Sequence, residues 1–382
     1  MKKCFSTTLL TGIVVCFLSC TQPPPPLSDK YTFVFTNIQE LRDTCFEGTV
    51  IIDGHGCDNL VIDNVCFSSP NTAAKHNGLM LQNVSNVTVR NCDFQNIRGD
   101  ACQVGNQYKP CCAITIENNE IHEIDGNGIN SYYSGGSGND NCIIRNNHIH
   151  HVGKDTSVYA NQPTGGFHGI YWKDKGVVIA GNEIHDNYDK GSGVSVRAGA
   201  RVAQNRIYNV RIGINYTANY PAFNSDLIIE NNLIFDTREY GINLSGSASL
   251  FNDITAADIR FNTVAANNTT GILIYNFVNL SNPGENNKFR IYGNVVVNEN
   301  LSGTFIVNNI GGTNAKSFSN TTSADKSALD FADFAAGDYH LHDTSPAINA
   351  GGDIALSDIP TIDFDGNQRP VGIADHGAFE MQ

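Results

Sequence analysis

Apolar residues along this chain fall in short alternating strings broken by polar corners, and the strings repeat. The recurring unit is an apolar residue, two or three polar or small residues ending in Asn, one variable residue, then another apolar residue. It occurs as Ile116 to Ile121, Ile144 to Ile149, Ile179 to Ile184, Val202 to Ile207, Ile229 to Ile234, Ile259 to Val264 and Ile291 to Val296. The Asn is residue 119, 147, 182, 205, 232, 262 and 294 in turn, at spacings of 23 to 35 residues. Two earlier copies, ending at Phe67 and Phe94, have Val65 and Cys92 in the Asn position. A second short strand opens with Gly at residues 128, 169, 193, 213, 241 and 271.

Alternation with period two predicts strands, and no long 3.6-residue pattern is present. A repeat of this length built from short strands predicts a right-handed parallel β-helix, an all-β solenoid of about nine rungs; a propeller blade needs about forty residues and four strands. A corner Asn can hydrogen-bond to the same Asn one rung away, which makes the Asn column structural. Five regions follow. Residues 1–19 read as an export signal, 20–30 as a linker, 31–47 as an N-terminal cap, 48–310 as the β-helix and 311–382 as an irregular C-terminal cap. Thr36 and Gln39 are spaced as a capping box, predicting an amphipathic helix to about Phe46 that covers the first rung.

Lys2 and Lys3 followed by the apolar stretch Leu9 to Leu18 form an export signal too short to span a bilayer. Phe17-Leu18-Ser19-Cys20 resembles a bacterial lipobox, which implies lipidation of Cys20 and a location in the bacterial cell envelope. Four consecutive prolines up to Pro26 make a stiff spacer. The only membrane partner expected is the one met through that anchor, and a monomer is expected. A net charge of −14 argues against nucleic-acid binding, which needs basic surface. The eight cysteines Cys45, Cys57, Cys66, Cys92, Cys102, Cys111, Cys112 and Cys142 are an even set, predicting disulfides across the first rungs.

Stacked rungs lie about 4.8 Å apart, so chemistry on a solenoid wall forms columns. With Ile170 and Trp172 inward, Tyr171 and Lys173 point out, and the outermost column reads Tyr132, Lys173, Arg197, Thr217, Ser245, Tyr275. Lys173 beside Arg197 is a like-charge pair, which lowers a lysine pKa toward a usable base. A base, a neighbouring cation and a phenol are what β-elimination on a uronic acid requires: C5 loses a proton, the carboxylate is neutralised and O4 is protonated. These residues predict a polysaccharide lyase with Lys173 as base, Arg197 as acid or anion stabiliser and Tyr132 as the phenol, acting on an acidic polysaccharide. His168, Tyr171, Tyr133, Asn130 and Lys190 are the candidate substrate-binding residues.

The stretch Lys173 to Asn205 resembles the catalytic rungs of polysaccharide lyase family six, the alginate and chondroitin/dermatan lyases. In that family a Lys precedes a Gly-Asn corner, as Lys173 precedes Gly181-Asn182, and an Arg followed by Gly opens the next rung, as in Arg197-Ala198-Gly199. The resemblance implies a calcium ion held by acidic residues upstream of the Lys. Here Gly166, Phe167 and His168 stand at those positions. Calcium is therefore an open option without its usual ligands, and His168 is left to help bind the carboxylate.

Two other chemistries compete. Outward pairs Glu120/His122, His148/His150 and Glu183/His185 stack His122, His150 and His185 in one column, able to hold a transition metal or to supply acid and base. Asp174, Glu183, Asp186 and Asp189 offer carboxylates for a glycoside hydrolase, which needs a pair about 5 to 9 Å apart. A non-catalytic glycan-binding or adhesive solenoid is the third alternative. Long insertions at 131–141, 153–166, 216–225, 246–255 and 276–287 are placed to wall a groove, with Tyr133, Tyr159, Tyr188 and Tyr220 among its aromatic candidates.

Overall fold

A computed structural model describes residues 32–69, 75–132, 138–154, 166–188, 190–218, 226–246, 254, 256–266, 270–275, 277, 288–298, 304–310 and 313–382. The export signal, Cys20, the Pro-rich linker, Tyr133, Tyr159, Tyr220 and Asp189 lie outside the described residues, as does much of each long insertion. No helix among the described residues is long and apolar enough to cross a membrane.

Each rung contributes a strand to three parallel sheets. The first sheet runs from Thr32–Phe35 through the Gly-started strands to Thr304–Ile310; the second and third begin in Glu40–Glu47 and end at Lys316–Phe318 and Thr321–Ser323. Register is strict. Ile116, Ile144, Ile179, Val202, Ile229, Ile259 and Ile291 stack in the second sheet, and Ile121, Ile149, Ile184, Ile207, Ile234, Val264 and Val296 in the third, all without solvent exposure. Branched side chains pack well on a pleated surface, so these stacks fill the solenoid's interior.

Between the second and third sheets the Asn column is bonded as expected. Asn147 Oδ1 accepts from the backbone N–H of Asn119 (3.1 Å) and from its Nδ2 (2.9 Å), and the same pair of bonds repeats rung by rung to Asn294. Asn320 extends the column one step beyond the sequence pattern (2.9 Å). Thr322, where the pattern has an apolar residue, hid it. The residue before each ladder Asn is left-handed: φ is +54° at Asn118 and Asn146, +66° at Gly181 and +65° at Gly293. The Gly column has a different cause. A Cβ at Gly128, Gly169, Gly193, Gly213, Gly241 or Gly271 would lie 2.5 to 2.9 Å from a carbonyl oxygen of the next rung, closer than a side chain can come.

A second ladder, on the turn that leads into the first sheet, was not apparent from the repeat. The N–H groups of Asp100, Asn127, His168 and Ser192 donate in turn to the side chains of Asn77 (3.0 Å), Asp100 (2.9 Å), Asn127 (2.9 Å) and His168 Nδ1 (3.0 Å).

Four expectations need correction. Residues 40–47 are a strand, not a capping helix: Phe46 pairs with Phe67, and the phenyl rings of Phe46, Phe67 and Phe94 stack at 6.1 and 4.5 Å. An in-register edge with an aromatic stack outweighs the local capping-box signal. The solenoid therefore starts at Thr32, and each of its sheets holds eleven parallel strands among the described residues, not about nine. Only Cys45 and Cys66, facing each other in register, form a disulfide among the described residues. Cys57, Cys92, Cys102, Cys111 and Cys142 are buried free thiols and Cys112 an exposed one. The buried ones pack as small apolar groups, and burial pushes the Cys92 and Cys111 thiols up to about 11, which suppresses thiolate chemistry.

The C-terminal segment, finally, is not confined to the end of the solenoid but runs back along its side. Leu329, Phe331, Tyr339, Ala347, Ala378 and Phe379 cover the outward residues Leu233, Phe235, Ala265, Val295 and Val297 of the third sheet. Arg369, itself buried, ties this strap to the Asn231 side chain (2.9 Å) and to Glu380 (2.9 Å).

His376, 3% exposed, fixes the strap to the last rung through Thr321 Oγ1 (2.8 Å). Burial lowers its pKa from 6.5 to about 4. The unfolded chain then binds the extra proton first, so stability is lost as pH falls from about 6.5 toward 4, by about 3 kcal/mol at most. Urea unfolding across this window should show the slope, and His376→Asn should flatten it.

Candidate active site

The wall of the first sheet places the predicted column in register. Trp172 pairs with Val196, Val196 with Tyr216, Thr217 with Ser245 and Ser245 with Tyr275, which sets Lys173 beside Arg197. Strand alternation puts Ile170 and Trp172 in the core and Tyr171 on the wall. Lys173 is recessed, with 9% of its surface exposed. Its Nζ donates to Asn130 Oδ1 (3.1 Å) and lies 4.4 Å from the Tyr171 ring centre and 5.3 Å from that of Tyr132. The Arg197 guanidinium lies 4.9 Å from the Tyr171 ring centre, so one phenol ring holds both cations.

Burial is the main cause that lowers the Lys173 pKa; Arg197 adds to it, while Tyr171, Asp100 and Asp174 oppose it. The sequence argument had Arg197 as the main cause, and the desolvated position on the wall is the larger one. Asn130 Nδ2 donates to Asp100 Oδ2 (2.8 Å), which fixes the amide so that its oxygen faces Lys173. Asp100, at 2% exposure, was missed because the second ladder places it and no motif marks it. Arg197 is the other unusual group. Its Nε and Nη1 are buried and have no hydrogen-bond partner among the described residues, whereas buried donors are normally satisfied.

His168 is held by the second ladder. Its Nδ1 accepts the Ser192 N–H, which puts the ring proton on Nε2, and burial first, then Arg197 and Lys173, hold its pKa well below 6.5. The ring is neutral and 5.0 Å from that of Tyr171. Tyr132 is 42% exposed at the mouth of the column. Lys190 is exposed on a turn. The structure thus brings together Lys173, Arg197, Tyr132, Tyr171, Asn130 and His168.

The other acidic groups lie apart. Asp174 is buried and accepts from Asn139 Nδ2 (2.8 Å), while Glu183 and His185 lie on the third sheet, followed by Asp186. Glu183 and Asp186 therefore do not lie on the wall that carries Lys173. A calcium ion takes six to eight oxygen ligands. Near Lys173 the two Asp100 oxygens are occupied by the Asn127 and Asn130 amides, and this donor set does not fit calcium.

Fold and wall together define a right-handed parallel β-helix with a recessed, cation-rich patch on one face. The chain belongs to that family: the sequence pattern described as "Right handed beta helix region" matches residues 33–162 and 77–310. No curated protein matches it in sequence. Among solved structures it is similar to pectate lyase Pel9A, at 14% identity over 92% of this chain and 86% of that one (TM-score 0.54). It is also similar to XylC in complex with xylose, at 12% identity over 87% and 65% (TM-score 0.46), and to the PL6 family alginate lyase AlyGC, at 14% identity over 76% and 48% (TM-score 0.41). The chain thus spans less than two thirds of the length of XylC and about half that of AlyGC. These likenesses show the fold alone.

Proposed function

We propose that this protein is a polysaccharide lyase that cleaves a uronate-containing chain by β-elimination, exported and anchored to the bacterial envelope through Cys20. The observation that carries the reading is the pair of buried Arg197 N–H groups without an acceptor among the described residues, next to a recessed lysine whose pKa burial lowers. A uronate carboxylate pairs with a guanidinium along one edge, Nε with Nη2 or Nη1 with Nη2, and so supplies an acceptor to one of these orphaned donors. Its negative charge, neutralised there, acidifies the C5 proton. The neutral Lys173 amine takes that proton; the C5 electron pair forms the C4–C5 double bond and the C4–O4 bond breaks. O4 leaves with a proton from Tyr132, the exposed phenol at the mouth of the column. Asn130, fixed by Asp100, keeps the amine in place.

The test is incubation with alginate, chondroitin and pectate, following the unsaturated product by absorbance near 235 nm. A rise with one polymer supports elimination; binding without a rise on the whole panel leaves a glycan-binding wall and removes the lyase reading. The sign of the pH dependence also follows. Because burial favours the neutral amine, kcat/KM should climb with pH on a limb below the ordinary lysine value of 10.5. Initial rates across pH locate that limb, and an activity that instead falls as the amine loses its proton would exclude Lys173 as base.

A further inference from the structure

On the third sheet, away from the Lys173 wall, Glu120, His148 and His150 converge. Glu120 pairs with His148 and His122 with His150 on adjacent strands. One ligand atom from each of Glu120, His148 and His150 lies within 4.8 Å of the others, the only such group among the described residues. Glu120 Oε2 is 3.0 Å from His148 Nδ1 and Glu120 Oε1 is 2.8 Å from His150 Nε2. Both are hydrogen-bond lengths in the metal-free site; a tetrahedral shell with metal–ligand bonds of about 2.0 to 2.2 Å has edges of about 3.3 to 3.6 Å, so the ligand atoms would move apart by a few tenths of an ångström to admit an ion.

The ring contacts add a second observation. His148 Nε2 faces His185 Nε2 at 2.8 Å, and His185 Nδ1 faces Asp186 Oδ2 at 2.7 Å. With one proton on each Nδ1, directed to its carboxylate, the two Nε2 atoms would face each other at 2.8 Å with no proton between them, a conflict that either one further proton or a bound cation resolves. A cation on His148 Nδ1 removes the conflict. The His148 proton moves to Nε2 and donates to His185 Nε2, and the His185 proton stays on Nδ1 and donates to Asp186. His150 is similarly backed: with Nε2 free as a ligand, its Nδ1–H donates to His151 Nδ1 (2.6 Å). Ligating histidines that donate their other nitrogen to a fixed acceptor are the usual arrangement around protein-bound zinc.

We propose that Glu120, His148 and His150 bind a divalent first-row transition ion of the zinc class, with His185–Asp186 and His151 as the supports that orient the ligands. Two imidazoles and a carboxylate suit zinc, copper or nickel and are a poor set for calcium or magnesium. Three protein ligands leave a coordination position open. The Glu120, His148 and His150 side chains keep 42, 40 and 20% exposure, so the position faces solvent. A groove of about 450 Å³ beside it, edged by Asn91, Asp93, Asn118 and Asn146, gives a fourth ligand room to enter. His122, which sequence reasoning placed in the metal set, instead turns its Nε2 to Asp93 (3.3 Å). The inference does not depend on the lyase reading.

Zinc titrated calorimetrically into the metal-free full chain, with a chromophoric chelator as competitor, tests it. One zinc per chain is expected. Glu120→Gln and His150→Ala should each weaken binding by at least about 100-fold, and His185→Phe, which keeps the ring stack on Tyr208, by about 10- to 100-fold. His122→Ala should leave affinity unchanged. Cobalt in place of zinc should give visible d–d absorption in the wild type that is lost in His150→Ala. Equal zinc affinity and stoichiometry in the wild type and His150→Ala, both folded by circular dichroism, would overturn the proposal, as would the absence of binding at micromolar zinc.

Discussion

Lys173→Ala is expected to lower kcat/KM on the cleaved polysaccharide by about 100- to 10,000-fold, the range that a positioned general base supplies. The folded structure should survive the change, because the lysine is bound only at its tip, to Asn130, and its neighbours Tyr132 and Tyr171 lie on the wall and not in the core. Lys173→Arg separates base from charge. Arginine keeps the positive charge but does not lose its proton in proteins, so it cannot act as the base. If a cation alone were needed, Lys173→Arg would retain most activity; if a base is needed, it should be as damaged as Lys173→Ala. Arg197→Ala removes the guanidinium proposed to pair with the carboxylate, and the expected loss then differs between polymers according to how much each depends on that charge. The measurement is the initial rate near 235 nm at fixed pH, with circular dichroism as the control for folding.

Asn205→Ala should destabilise the protein by about 3 to 5 kcal/mol, the upper range for a single substitution. Asn205 Oδ1 is the acceptor for the Asn182 backbone N–H (3.0 Å) and for Asn182 Nδ2 (2.9 Å). Its own Nδ2 donates to the carbonyls of Ile179 and Ala203 and to Asn232 Oδ1. The residue is fully buried, so water cannot replace these partners. The two Asn182 donors and three acceptors, the Ile179 and Ala203 carbonyls and Asn232 Oδ1, each lose a bond in one step. Asn205→Asp keeps the acceptor but buries a charge without a donor side, so it should be no milder. The midpoint and slope of denaturant unfolding measure both, and a loss below about 1 kcal/mol would show that the column is dispensable.

The repeat was legible because each of its positions has one physical demand. The Asn corner needs a side chain that both donates and accepts, and the Gly column needs the absence of a Cβ; both demands select one residue type and leave a visible period. The column Tyr132, Lys173, Arg197 followed from strand alternation once the rungs were aligned. Elsewhere several residue types meet the same demand, and the signal disappears. The second ladder uses Asn77, Asp100, Asn127 and His168, three residue types that share only an acceptor atom, so no repeat marks it, and the Asp100 it carries was missed. The N-terminal edge misled for a related reason: Thr36 and Gln39 are spaced as in a helix start, while the partner that makes the segment a strand, Val61–Ser68, is remote in sequence. Cysteine count did not distinguish a covalent staple from a small apolar core residue. The imidazole cluster was read along one column, whereas its convergence runs diagonally, from Glu120 through His148 to His150, and depends on ring orientation.

In a solenoid, where each rung touches only the next, disorder can enter at an end and travel inward one step at a time. The C-terminal strap lies across the rungs from Arg206 to Val297, with Gly337 held by Arg206 (3.3 Å) and Asp363 by Gln204 (2.8 Å). A splint of this kind prevents stepwise fraying: the rungs beneath it open together or not at all. Its edge falls at Gln204 and Arg206, on the same turn as Arg197, so the boundary between the splinted and the bare half of the rod comes at a rung that carries the cationic patch. The rungs with Lys173 and the histidine cluster lie outside the splint, and their amide hydrogens should exchange by smaller openings than those of the rungs beneath it.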